Sequence, residues 1–407
     1  MPSGRDGDVS VEDAGGRHAR VRYLAAAAVF AVGMAGTTLP TPLYGLYRQQ
    51  IGFSELMVTV VFAVYALGVI AALLIAGDFS DVLGRRPVLM VALGLSVLSA
   101  VCFLAEDGLP LLFVGRLLSG FAAGLFSGAA TAAVLELAPP QLSGRAGFAA
   151  TAANMGGLGC GPVLSGVLAQ YAPWPLRLPF LVHIALLAAA FAVTSALPET
   201  VARRTPRPPL RPQGMVVPEQ TRGAFVPAGL AALAGFSLLG LFTAVAPSFV
   251  ARTLGVHNLA VSGVVVFSVF CSSTAGQFLM GRVGVRRALP IGCLVLTIGM
   301  ALVASSLLMV SLPVLVVGAV VGGLGQGLAF RAALTSVSAV APDEHRGATI
   351  SAFFVVAYVG ISLPVVGVGA LTLALGLRGA GLVFAGCVVL LSAGVGVFLL
   401  RRPLRTD

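Results

Sequence analysis

The sequence predicts an all-α integral membrane protein of twelve transmembrane helices, arranged as two parallel six-helix repeats. Three observations predict it. Of the 407 residues, 58% are apolar and 10% carry a formal charge, against roughly 25% charged in soluble domains. Apolar runs of about eighteen or more residues recur along the chain, each long enough to cross a hydrocarbon core of roughly 30 Å. Features also return at an offset of about 200 residues: Gly84 to Leu89 (GRRPVL) as Gly284 to Leu289 (GVRRAL), and Ala138, Pro139 and Arg145 as Ala341, Pro342 and Arg346. Six helices separate each feature from its copy, and an even number preserves orientation, so the repeats are parallel rather than inverted.

Helices are preferred to a transmembrane barrel because a helix satisfies its own backbone hydrogen bonds where no water can. A barrel would need alternating strands, and the run from Met57 to Gly77 (MVTVVFAVYALGVIAALLIAG) does not alternate. The apolar runs and their polar punctuation place the first six helices at 22–43, 57–77, 87–105, 109–136, 146–169 and 178–197. The second six fall at 225–250, 259–280, 287–306, 312–335, 348–372 and 379–400. Residues 1–21 form a polar tail without the apolar core of a signal peptide, so the first run is expected to be retained as a helix. The domain plan is then an N-terminal bundle over 22–197, a linker over 198–224 rich in proline and arginine, a C-terminal bundle over 225–400 and a short tail over 401–407.

All 25 basic residues are arginine, and their distribution gives the orientation. With the N-terminus inside, the inner segments hold nineteen arginines, whereas the outer loops hold only Arg48, Arg177, Arg252 and Arg378. Both termini are therefore expected in the cytoplasm, with the chain multi-pass in the cell inner membrane. The net charge of +10 reads as an insertion signal with contact to anionic lipid, not as a nucleic-acid surface. The five cysteines, Cys102, Cys160, Cys271, Cys293 and Cys387, stand singly in apolar segments without metal-ligand spacing. No metal or other cofactor is expected. A nucleotide-binding loop of the G-x-x-x-x-G-K-[ST] type is excluded, because the chain has no lysine.

Between helices 2 and 3 the chain reads Gly77, Asp78, Phe79, Ser80, Asp81, Val82, Leu83, Gly84, Arg85, Arg86. This resembles the signature loop of the major facilitator superfamily, G-x-L-a-D-r-x-G-r-r, and the resemblance extends over nearly everything between residues 22 and 402. Helix 4 carries Arg116 to Gly120 (RLLSG), similar to the family's R-x-x-q-G element. Helix 5 carries Gly157, Gly161, Pro162 and Gly166, resembling the G-x-x-x-G-P-x-x-G-G element of drug and proton antiporters, with Ser165 for one glycine. Small residues every four positions, Ala153, Gly157, Gly161 and Ser165, would also permit close helix contact.

The resemblance implies a solute cavity between the halves, lined mainly by helices 1, 4, 7 and 10. Its candidates here are Thr37, Thr38, Arg116, Phe236, Phe242 and Gln326, joined by Tyr65, Asn154 and Tyr358 on flanking helices. It also implies an inner latch of Gly77, Asp78, Asp81, Gly84, Arg85, Arg86, Glu136, Arg145 and Arg346, with Glu136 expected to pair with Arg86 and Arg145 when the inner ends close. Arg116 lies about 10 Å into the membrane at roughly 1.5 Å per residue. An arginine there costs about 3 kcal/mol to insert and so calls for a partner or a cavity.

The function implied is that of a secondary transporter exporting small amphipathic or lipophilic compounds by alternating access, acting as a monomer with the proton as coupling ion. Helix 1 lacks the membrane-embedded acid common in such exporters; Asp78, Asp81, Glu136 and, in helix 6, His183 are the remaining titratable groups. The alternatives are transport of a polar metabolite such as a sugar, amino acid or organic anion, and a membrane sensor or enzyme. Four scattered histidines, His18, His183, His257 and His345, supply no catalytic cluster.

Overall fold

The structure, a computed structural model, describes residues 6–77, 79–105, 108–201 and 214–402, with the side chains of residues 6–16 excepted. Asp78 of the expected latch and Arg203, Arg204, Arg207 and Arg211 of the linker lie outside the described residues. Every regular element among the described residues is helical.

Eleven described helices are long and apolar enough to cross a membrane. The last, Arg346–Arg401, runs 56 residues, about 84 Å at 1.5 Å per residue and far more than one crossing needs. It breaks at Gly376, whose φ of 67° and ψ of 173° leave the helical region and suit a residue without a Cβ. Before the break Gly369 packs on Thr59; after it Gly381 packs on Leu307 and Gly396 on Cys293. The chain thus climbs one way and returns alongside Val285–Met309, which gives twelve spans.

The first span departs from the expected bounds of 22–43. Its helix begins at Asp6 and ends at Thr38, because Pro40 and Pro42 lack the N–H groups that would continue it. A single turn at Thr41–Leu43 then bends the chain into a short helix, Tyr44–Ile51. Spans two to six are Glu55–Ala76, Arg85–Ala105, Leu109–Glu136, Ser143–Tyr171 and Leu178–Ala196. The seventh begins as Arg222–Gly240 and continues through two π turns, Leu241–Val245 and Phe249–Thr253. Leu259–Val283, Val285–Met309 and Leu312–Val340 complete the count before the final pair.

Each half has its own apolar core. Phe30, Val69, Leu93 and Phe126 centre one, and Leu238, Phe242, Met300 and Phe353 the other. The halves meet along spans five and eight and along spans two and eleven. Two prolines sit in equivalent spans of the two halves, and each is answered in the same way. Pro162 in span five cannot donate to the carbonyl four residues back, Leu158, and that carbonyl instead accepts the hydroxyl of Thr38 from span one at 2.7 Å. Pro364 in span eleven leaves the Gly360 carbonyl in the same position, and Ser237 from span seven donates to it at 3.0 Å. In a dry bundle such carbonyls need these donors.

A cavity between the halves and its two ends

The face bearing residues 198–201 and 214–221 is the linker face, and the opposite one the far face. A cavity of about 450 Å³ lies between the halves. It runs from Thr37, Thr38 and Phe62 in the middle of the bundle to Gly77, Ser80 and Gly347 at the linker face. Phe62 and Tyr65 of span two form one wall. Phe236, Phe330, Phe354 and Tyr358 of spans seven, ten and eleven form the other, with ring centroids of neighbouring pairs 5.3–6.1 Å apart. Tyr65 and Tyr358, one from each half, both line the cavity.

Of the residues expected to line the pathway, Thr37, Thr38, Tyr65, Asn154, Phe236 and Tyr358 border this cavity. Three do not. Phe242 is fully buried in the core of its own half: Phe236, Leu239 and Thr243 line the cavity at i, i+3 and i+7, and Phe242 falls off that stripe. Gln326 is turned toward span eight, where its amide oxygen accepts the Ser273 hydroxyl at 2.6 Å. Arg116 is wholly buried behind the cavity wall. The residues missed are chiefly Phe62, Phe270, Phe330, Phe354, Gln277 and Arg331; helical periodicity from the expected ones would have found several.

Arg116 has no carboxylate partner among the described residues. Its Nε donates to the Tyr44 hydroxyl and its Nη1 to the Thr37 carbonyl. Four rings, Tyr44, Phe62, Tyr65 and Phe103, lie with centroids 5.2–5.9 Å from the guanidinium carbon. Ring quadrupoles and a carbonyl replace water around the cation. Nη2 is buried without a hydrogen-bond partner. Arg116 therefore joins spans one, two and four just beyond the closed end of the cavity. His183 is buried beside Gly36, with neither ring nitrogen hydrogen-bonded, and lines no part of the cavity.

At the far face the halves are tied together. Glu55, the first residue of span two, accepts from Arg252 at 2.7 Å and from the Ser248 hydroxyl at 3.1 Å, both on span seven, and is paired with Arg48 of its own half. Between spans five and eight, the Gln170 side chain accepts from the Leu259 N–H at 2.9 Å, and Asn258 donates to the Tyr171 hydroxyl at 2.9 Å. A side chain at Gly166 would collide with the Leu259 backbone. In span five Gly157 and Gly161 meet the Ala31 and Ala35 carbonyls of span one, so the expected helix 5 motif serves close packing on both sides.

At the linker face Arg85 is bound by Asp81 and by Glu136, the latter at 2.9 Å, and also donates to Ser80 at 2.7 Å. Glu136 takes the Thr200 hydroxyl as well. Its partners are thus Arg85 and Thr200 rather than the expected Arg86 and Arg145. Glu199 accepts the backbone N–H groups of Arg85 and Arg86 at 2.9 and 3.1 Å. It packs where a side chain at Gly84 (φ 108°) would stand. Arg145 is exposed, and Arg346 pairs with Asp343 of its own turn at 2.7 Å. The cluster lies within one half and is formed while the cavity reaches the linker face. Closing that face is therefore not what makes these ion pairs.

Two six-span halves thus enclose a cavity that reaches one face and is sealed at the other. The chain belongs to the Major Facilitator Superfamily, whose sequence pattern matches residues 25–299. The pattern "Sugar (and other) transporter" matches residues 247–370. The multidrug resistance protein MdtL of Klebsiella pneumoniae is 34% identical over 84 residues, covering 20% of this chain and 21% of that protein. The sugar transporter ERD6-like 6 of Arabidopsis thaliana is 24% identical over 134 residues, covering 33% and 27%. The chain thus matches about a quarter or less of the length of these relatives. Among solved structures, a bacterial homolog of the human lysosomal transporter Spinster, inward-facing and unoccupied, superposes with a TM-score of 0.72 at 16% identity, covering 96% of this chain and 99% of that one. The D-xylose-proton symporter does so with a TM-score of 0.72 at 16% identity, covering 95% and 98%. These share the fold.

Proposed function

We propose that the protein exports small amphipathic or lipophilic compounds across the cell inner membrane by alternating access, in exchange for protons. The observation that carries this reading is the aromatic cavity of about 450 Å³ between the halves, within the range that drug-sized ligands occupy. The excess of arginine at the linker face supports a cytoplasmic location for that face and both termini. The cavity then takes its load from the cytoplasm or the inner leaflet. The close-packed Gly157, Gly161, Pro162 and Gly166 of span five and the local similarity to a multidrug resistance protein support export. The protein acts as a monomer, with anionic lipid at its arginine-rich face.

A polar metabolite is the second reading, favoured by the sugar-transporter pattern over residues 247–370. The predominance of apolar and aromatic side chains on the cavity walls weighs against it. The test is accumulation of a panel of lipophilic dyes and antibiotics in an efflux-deficient host, with and without an uncoupler. Export predicts lower accumulation in expressing cells, abolished by the uncoupler. Equal accumulation across the panel, with enhanced uptake of a sugar, would replace this reading with the second.

A further inference from the structure

The cavity has an electrostatic character that its apolar walls do not specify. Among the described residues that line it, Arg331 carries the only formal charge. It stands nine residues before the end of span ten at Val340, about 14 Å along the helix at 1.5 Å per residue, deeper than a boundary residue needs to be. No described side chain forms an ion pair or hydrogen bond with its guanidinium. Of the described carboxylates at this face, Asp81 and Glu136 are held by Arg85, Glu199 by backbone N–H groups and Asp343 by Arg346, while Glu219 and Glu344 are exposed and line no part of the cavity. Asn154 of span five also borders the cavity, with its amide oxygen buried and without a hydrogen-bond partner.

We infer that the cavity selects amphipathic organic anions, a carboxylate or sulfonate bound by Arg331 and the apolar part held among the rings of Phe236, Phe330, Phe354 and Tyr358. This rests on the proposed reading of the cavity as a site for amphipathic compounds and names their charge. A guanidinium presents a planar fork that matches a carboxylate or sulfonate. A cationic compound would enter a space that holds a like charge and, among its described residues, no counter-charge. Exchange of an anion for a proton also moves negative charge outward and positive charge inward, both favoured by a membrane potential negative inside.

Three compounds of nearly equal shape test it: naphthylacetate, naphthylmethanol and naphthylmethylammonium. Their binding to the purified full-length protein is measured by equilibrium dialysis. The inference expects the anion to bind at least about tenfold more tightly than the cation. It expects Arg331→Gln to remove that preference while naphthylmethanol still binds, which shows the variant folded, and Arg331→Lys to keep much of it. Equal or tighter binding of the cation overturns the inference, whether or not Arg331→Gln folds. So does an anion preference that survives in Arg331→Gln. A cation preference abolished by Asp78→Asn would assign the governing charge to the loop carboxylate and overturn it too. Failure of the neutral compound as well as both ions to bind would instead overturn the underlying reading of the cavity.

Discussion

Glu55 and Arg252, one from each half, stand 2.7 Å apart at the far face, and Ser248 and Arg48 complete the same knot. Separation of the halves on that side must break the contacts of Glu55 to Arg252 and Ser248. A partly exposed ion pair contributes about 1 kcal/mol or less, so Glu55→Gln should shift the balance toward a far-face-open form by roughly fivefold. Spin labels at the far ends of spans two and seven, in a background without the native cysteines, should then report a larger population of long distances. An unchanged distribution would remove Glu55 from the gate.

Arg116 should matter through the architecture rather than by touching solute. Arg116→Ala leaves a hole among four rings and removes the donors to Tyr44 and the Thr37 carbonyl. We expect a loss of about 2–4 kcal/mol and little transport. Arg116→Lys keeps the charge but not the fork that reaches both acceptors, so it should recover transport only in part. Thermal unfolding in detergent, read beside transport, checks this; wild-type values for both variants would contradict it.

The proline contacts make a sharper energetic prediction. Thr38→Val leaves the Leu158 carbonyl without a donor, at a cost of about 1–3 kcal/mol. Pro162→Ala restores an N–H able to reach that carbonyl, so the double variant should lose less than the sum of the single losses. Ser237→Ala and Pro364→Ala should behave alike in the second half. Additive losses in both cycles would mean that the hydroxyls do not serve these carbonyls.

Asp81→Asn should impair transport while leaving expression in the membrane nearly intact. The Asp81 side chain is 62% exposed, so its pair with Arg85 adds little to stability. The same substitution frees one side of the arginine that Glu136 also holds. Matched immunoblots and transport assays decide, and normal transport would leave the cluster a purely structural role.

The fold is legible because its causes are periodic and composition-driven: apolar run length and the repeat both appear in one sequence. The bend after Thr38 is marked by Pro40 and Pro42, yet apolar character continues across it and hides the turn. The break at Gly376 fell correctly between two spans because the run is too long for one. The cavity was half legible. Polar and aromatic residues on the inward stripe, such as Thr37, Tyr65 and Phe236, were found by type. Phe242 and Gln326 failed because residue type does not give helix rotation. An intramembrane charge such as Arg116 calls for a partner, but a partner made of rings from three distant segments leaves no trace in the sequence around it. The pair of Glu55 and Arg252 spans 197 positions of sequence and leaves no local trace.

Proton movement in proteoliposomes tests the account most directly. Full-length protein is reconstituted with a pH-sensitive dye in an acidic lumen, and each of the three naphthyl compounds is added outside. Exchange predicts that at least one of them alkalinises the lumen faster than in protein-free vesicles, and that its labelled form accumulates inside in proportion to the imposed gradient. Lumenal pH and accumulation identical to those of protein-free vesicles for all three would contradict it.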